Sequence, residues 1–132
     1  MQKPNESPPA TVLLVERDVL IRTSVARYLR ECGYRVIEAA NTDEATTVLR
    51  DPTVNVDALV ADAAAPGSQN GFALARWAKD HRSSLKTMIV GTPERVAATA
   101  SALCEEGPSL SKPYDPSILH DQIRRLIATR GT

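Results

Sequence analysis

Four short stretches carry the side chains able to do chemistry: Glu16-Arg17-Asp18, Asp62, Gly91-Thr92 and Lys112. A carboxylate set among other acids makes an anionic pocket, and such pockets hold hard cations such as Mg²⁺ through oxygen ligands. A lysine across the pocket is a point charge suited to a phosphoryl group. An aspartate can attack phosphorus and become an acyl phosphate where the charge around it is neutralised. An Asp, neighbouring acids, a hydroxyl and a Lys are therefore the parts of a phosphoryl-accepting site. Taken singly each has a plainer reading. An Asp at a strand end commonly caps a helix or forms a turn, and Lys-Pro is a common dipeptide.

The surrounding pattern supplies elements that would bring these parts together. Val56 to Ala61 is nearly all apolar and ends abruptly in Asp62, which reads as a buried parallel strand delivering one acid to the sheet's edge. Pro66, Gly67, Asn70 and Gly71 then make a turn-rich loop before a helical pattern at Phe72, with Ala75 and Ala78 on one stripe and Leu74 and Trp77 beside it. Val12 to Val15 is a second buried run, ending in Glu16-Arg17-Asp18. Leu20, Ile21, Val25, Tyr28, Leu29 and Cys32 follow at steps of three and four, an amphipathic helix stopped by Gly33. Tyr34 to Glu38 reads as a strand. Asn41 or Thr42 caps a short helix bearing Ala45, Val48 and Leu49, closed by Pro52. Thr87 to Val90 is a strand broken by Gly91-Thr92-Pro93, and a weak helix runs from Val96 to Leu103. A very short strand over Ser109 to Ser111 precedes Lys112-Pro113. The last helix carries Leu119, Ile123, Leu126 and Ile127, capped by Asp115.

Five strand–helix alternations without an internal repeat predict a doubly wound α/β domain, with a parallel sheet covered by five helices on both faces. Loops leaving the carboxyl ends of such strands are where this architecture places its chemistry. Glu16, Arg17 and Asp18, then Asp62, then Gly91 and Thr92, then Lys112 are thus expected to converge on one edge although distant in sequence.

Composition narrows the function. With 132 residues, 42% of them apolar, the chain can bury one proper core and is too short for two domains. Sixteen basic residues balance sixteen acidic ones, which removes any electrostatic case for nucleic acid or an anionic membrane. The first ten residues hold three prolines and few apolar groups, so residues 1–10 read as a flexible tail and 11–130 as the domain. Nothing approaches a membrane span or a signal sequence, which points to the cytoplasm. Cys32 and Cys104 lack metal spacing; a pairing between them would depend on geometry, and part-buried reduced thiols are the favoured reading.

The three motifs VLLVERDVLIR at 12–22, VDALVADAAAP at 56–66 and SLSKPYDP at 109–116 stand in order and spacing that resemble the CheY-like response-regulator receiver domains of bacterial two-component systems. The resemblance covers residues 11–130. It implies a flavodoxin-like sheet of order 2-1-3-4-5, a non-enzymatic signalling role, and a histidine kinase or phosphotransfer protein as phosphodonor. It implies Asp62 as phosphoacceptor, Lys112 and Thr92 as its catalytic companions facing it across one shallow acidic cleft, and a metal set of Glu16, Asp62 and Ala64 for Mg²⁺. It also implies that the signal leaves through the surface of the helix at 96–103, the strand at 109–111 and the last helix, toward a downstream protein or a second copy.

Three departures from the family pattern bear on function. Two adjacent acids usually follow the first strand, and the second is a metal ligand. Here Glu16 is followed by Arg17, with Asp18 one step on. Gly91 falls at the switch hydroxyl, with Thr92 immediately after. Ser109 replaces the usual fifth-strand aromatic. Exchanging an acid for Arg17 swings that position by two charges, and an inward guanidinium pairing with Asp62 or Glu16 would leave Mg²⁺ binding weak or absent. An Arg17 that points to solvent is the plainer alternative.

Three functions therefore compete: a phosphoaccepting receiver, a degenerate receiver that only binds protein, and a small nucleotide-binding α/β enzyme. The last is disfavoured, because the loop after the first strand is acidic and lacks glycines for a phosphate cradle. His81, His120, Glu38 and Glu44 read as surface groups, and Trp77 as partial core. No output domain follows the last helix in this sequence, which leaves a single-domain regulator or a piece of a longer protein.

Overall fold

A computed structural model describes residues 9–91, 109–111 and 115–128. Thr11–Val15 (β1) is buried throughout, and its side chains alternate between two cores because successive strand residues point to opposite faces. Leu13 and Val15 enter one core, Val12 and Leu14 the other. The same alternation holds in Ala58–Asp62 (β3) and Lys86–Gly91 (β4), where Leu59, Ala61 and Ile89 face one way and Ala58, Val60, Met88 and Val90 the other. Arg35–Ala39 (β2) and Ser109–Ser111 (β5) complete a parallel sheet of order β2-β1-β3-β4-β5. A chain of such apolar strands needs cover on both sides, and helices supply it.

Val19–Glu31 (α1) and Pro116–Ala128 (α4) cover one face; Thr42–Arg50 (α2) and Gly71–His81 (α3) cover the other. The α/β doubly wound, flavodoxin-like architecture and strand order thus match the expectation. Four helices are described; the helix expected over Val96–Leu103 lies outside the described residues, as do Met1–Pro8 of the expected tail. Ala10 already belongs to the ladder, since its carbonyl accepts from Arg35 N at 2.9 Å.

Several boundaries differ from the sequence reading for local reasons. β3 begins at Ala58 rather than Val56, because the Asp57 carboxylate turns to accept the Thr11 amide at 2.8 Å. β4 extends one residue at each end of the expected Thr87–Val90. In α1, Leu20 is 77% exposed and Ile21 36%, whereas Val25, Ala26 and Leu29 carry the buried stripe. The chain turns from β1 into α1 within three residues, and the buried stripe begins only at Val25, a turn and a half into the helix. The apolar stripe of the last helix goes mainly into the core: Leu119 and Ile123 are fully buried, Leu126 and Ile127 pack against the same cluster, and Ile118 alone of these is an exposed large apolar residue.

Side-chain hydrogen bonds tie the connections. The Asn41 side chain caps α2 through the Glu44 amide at 2.7 Å while the Glu44 carboxylate accepts from Ala40 N, also at 2.7 Å, so Glu44 closes a reciprocal cap rather than idling at the surface. Arg82, just after α3, donates to the carbonyls of Leu49, Asp51 and Val54 at 2.7 to 3.1 Å and clamps the α2–β3 connection. Trp77 is partly buried, stacks on His81 with ring centroids 4.7 Å apart, and lies under the Arg50 guanidinium at 5.8 Å. His120 is not simply solvated: it sits edge-on between Tyr34 and Tyr28, at 5.4 and 6.3 Å.

Candidate functional site at the carboxyl edge

The site follows from strand register. Val15 of β1 pairs with Ala61 of β3, so the next residues, Glu16 and Asp62, stand opposite one another at the carboxyl edge. Both continue the alternation of the strand residues that face α1 and α4. They are buried, Glu16 at 2% exposure and Asp62 at 5%. Acids withdrawn so far from water require partners, since an ionised carboxylate in a dry site is costly. Glu16 Oε2 accepts from Asp18 N at 3.1 Å, and Asp62 Oδ1 from Ala64 N at 3.0 Å. The Glu16 amide extends the ladder to Ala39 O at 3.0 Å, and the Ala63 amide reaches Val90 O at 2.7 Å.

The third acid takes a different role. Asp18 Oδ1 accepts from Leu20 N and Ile21 N at 2.9 and 3.2 Å, which makes it the N-cap of α1. Asp18 is exposed, and its capping oxygen is committed to the helix rather than to the cleft. The expected acidic pocket of Glu16, Asp18 and Asp62 is thus a buried pair with a helix cap at its rim. Among the described residues no group of three or more His, Cys, Asp or Glu side chains is placed to hold a metal ion. Arg17 is exposed, and among the described residues it makes no ion pair with Glu16 or Asp62. Of the two readings of Arg17, the exposed one agrees with this and the inward pairing does not.

The acceptor side shows two features that the sequence reading passed over. A Cβ on Gly71 would overlap the carbonyl oxygen of Asp62, so only glycine lets α3 start this close to the acid's own backbone. The loop between them is strapped to α2. Thr42, fully buried, donates its hydroxyl to Gln69 O at 2.6 Å, its amide reaches Pro66 O at 2.8 Å, and Asp43 Oδ2 accepts from Ser68 N at 3.1 Å. Gly67, at φ +136°, turns beneath the same threonine, where a Cβ would overlap Thr42 Oγ1. The signal for both glycines was present in PGSQNG, but which atoms they approach is a matter of tertiary packing.

Gly91 is buried as the last residue of β4, and its register partner is Ser111. It offers backbone only, so no hydroxyl comes from that position. Thr92 and Lys112 lie outside the described residues, although the strands that precede them end at this edge. A separate groove of about 340 Å³, bordered by Thr11, Arg35, Asn55 and Asp57, opens at the opposite, amino end of the sheet. Cys32 is a free, half-buried thiol. No helix among the described residues is long and apolar enough to cross a membrane.

The family model of the response regulator receiver domain matches residues 12–124. Among solved structures, the chain is similar to a CheY-like receiver domain protein from Methanospirillum hungatei, at 22% identity and TM-score 0.79 over 92% of this chain and 95% of that one. It is similar also to the receiver domain of the hybrid histidine kinase CckA, at 26% identity and TM-score 0.72 over 89% and 99%. A third likeness is to the response regulator TrrA from Thermotoga maritima, solved in complex with Mg²⁺ and BeF, at 20% identity and TM-score 0.77 over 89% and 98%. No relative is matched among curated proteins. A parallel five-stranded sheet presenting a buried aspartate at its carboxyl edge, together with the match over residues 12–124, makes this chain a member of the response regulator receiver domain family of two-component systems.

Proposed function

We propose that the domain accepts a phosphoryl group on Asp62 from a phosphohistidine of a kinase or phosphotransfer protein, with a metal requirement weaker than its family's pattern implies. The observation that carries this is the retained acceptor geometry: Asp62 buried at the edge, its Oδ1 oriented by Ala64 N–H, its backbone abutted by Gly71. In the transfer, a carboxylate oxygen of Asp62 forms a bond to phosphorus while the phosphorus–nitrogen bond of the donor breaks, and the imidazole leaves with its electron pair. Lys112 and Thr92 are the groups proposed to meet the phosphoryl oxygens.

The residues present fit a reduced Mg²⁺ site. Mg²⁺ keeps several waters and is commonly held by one or two carboxylates with phosphate oxygens, which Glu16, Asp62 and the Ala64 backbone can supply. When bound it would neutralise charge between the acids and the incoming group. The usual additional ligand is absent from this donor set because Arg17 stands in its place and Asp18 caps α1. Weak Mg²⁺ binding and slow phosphorylation follow.

The apolar rim around the site suits a partner's helical surface. Val19, Leu20 and Ile21 of α1 and Ile118 of α4 are exposed on first turns at the same edge and the same face of the sheet. The phosphodonor would dock there; a downstream protein or a second copy would use the side of the domain that carries β5 and α4. A second reading, a degenerate receiver that binds protein without modification, is favoured by Gly91 and Arg17. Incubation with a small acyl-phosphate donor and Mg²⁺, followed by mass measurement of wild type and Asp62→Asn, separates the two. A phosphoryl adduct lost in the variant supports the first reading, and an unmodified wild type supports the second.

A further inference from the structure

Glu16 is held from two sides, by β2 and by α1, and a single side chain holds its carbonyl. The Arg22 guanidinium donates from Nη1 to the Glu16 carbonyl at 2.9 Å and pairs through Nε with Glu38 Oε1 at 3.3 Å. Glu38 is itself fixed, since Arg30 Nη1 holds its other oxygen at 3.1 Å while Arg30 Nη2 donates to Val36 O at 2.8 Å. Arg22 stands one turn into α1, where its amide bonds Asp18 O at 2.8 Å, and its side chain is only 16% exposed. The next β2 residue, Ala39, takes the Glu16 amide. Both backbone groups of Glu16 are thereby held, and its carboxylate in turn accepts the Asp18 amide.

We infer that Arg22 is a positioning residue for the acidic site, fixing the Glu16 backbone and so the direction from which the Glu16 carboxylate enters the cleft. An arginine suits the role because its planar fork reaches a carbonyl and a carboxylate at once, whereas the compact ammonium of a lysine cannot keep both directions. Two guanidinium groups share the single Glu38 carboxylate, so Arg22 also leaves positive charge beside an acidic edge. A surface ion pair by itself would contribute little. The contact with Glu16 distinguishes Arg22 from Arg30. The consequence for phosphoryl transfer rests on the reading of Asp62 as acceptor; the positioning of Glu16 does not.

The test is amide hydrogen exchange at Asp18, whose N–H reports the Glu16 carboxylate, in wild type, Arg22→Gln, Arg22→Lys and Glu38→Gln. In Arg22→Gln, exchange at Asp18 should quicken about tenfold, the loss of roughly one hydrogen bond, while Val60 in β3 keeps its protection. Arg22→Lys should recover little of this, and Glu38→Gln should disturb Asp18 less than Arg22→Gln does. In the acyl-phosphate assay the rate of Asp62 modification should fall in the same order. Unchanged Asp18 exchange in Arg22→Gln, or equal loss of protection across α1 and the sheet in Arg22→Gln and Glu38→Gln, overturns the inference. If wild type takes no phosphoryl group, the acceptor reading fails and the exchange measurement still decides the role of Arg22.

Discussion

Both β1 and β3 deliver a buried acid to the carboxyl edge and hand over to a helix capped by an Asp or Asn side chain, yet the loops between are tied to different parts of the molecule. After Asp62, residues 63–70 are strapped to α2 by Thr42 and Asp43, and Gly71 admits α3 against the acid's carbonyl. After Glu16, the chain turns at once into α1, held by Arg22 and capped by Asp18. The acceptor loop is defined by close backbone approach, which tolerates almost no change. The β1 loop is defined by polar side chains, which can be exchanged as long as hydrogen bonds are made. Substitutions should therefore be felt more strongly in the loop after Asp62 than in the loop after Glu16.

If the acceptor loop is the less tolerant, its glycines should give the largest effects. Gly71→Ala forces a Cβ onto the Asp62 carbonyl, and the backbone shift should cost about 3 kcal/mol, the upper end for overpacking, in denaturant unfolding. A loss below about 1 kcal/mol, within the range of an ordinary surface change, would mean the approach is looser than described. Thr42→Val keeps the shape and removes the hydroxyl bonded to Gln69 O, so a loss of about 1–2 kcal/mol is expected, with amide shifts along residues 66–69. The β1 loop should respond more mildly. Asp18→Ala removes a cap and should lose about 1 kcal/mol, whereas Asp18→Asn should lose little because Asn caps as well. Neither should change Mg²⁺ affinity much, since that carboxylate serves the helix; a large change would return Asp18 to the metal site.

The smallest effect concerns pH. The Asp115 carboxyl is held below the ordinary carboxylate range, first by the Ser117 amide and then by its hydroxyl. A lowered folded-state value makes the cap fully effective above the unfolded value and lost as pH falls through the folded one. The first turn of α4 should therefore loosen only on the acid side of about pH 4. The Ser117 amide shift reports it, and a shift unmoved through an acid titration would remove Asp115 as the cap.

Much of this fold is legible in residues because it depends on period and punctuation. The apolar runs at 12–15 and 56–61 read as buried parallel strands, and the turn residues through Asn70 and Gly71 mark where the next helix starts. The placement of Glu16 and Asp62 together follows from those same strands. What escaped the sequence was which of several possible partners a side chain takes and where the sheet lies beneath each helix. Asp18 looked like a pocket acid because nothing local distinguishes a capping carboxylate from a ligand. Leu20 and Ile21 looked like core because periodicity does not tell where the sheet beneath a helix ends. Glu38 looked like a surface charge because its two arginines lie on another element.

On the function proposed for this receiver, Asp62 accepts the phosphoryl group, and Arg17, standing where the family carries a metal ligand, weakens Mg²⁺ binding. A Mg²⁺ titration followed at the Asp62 and Ala64 amides, in wild type and in Arg17→Asp, tests it most directly. Mg²⁺ should bind at least about tenfold more tightly to Arg17→Asp, since one carboxylate ligand is gained and one cation lost. Equal affinity in the two proteins would show that Arg17 has no bearing on the site.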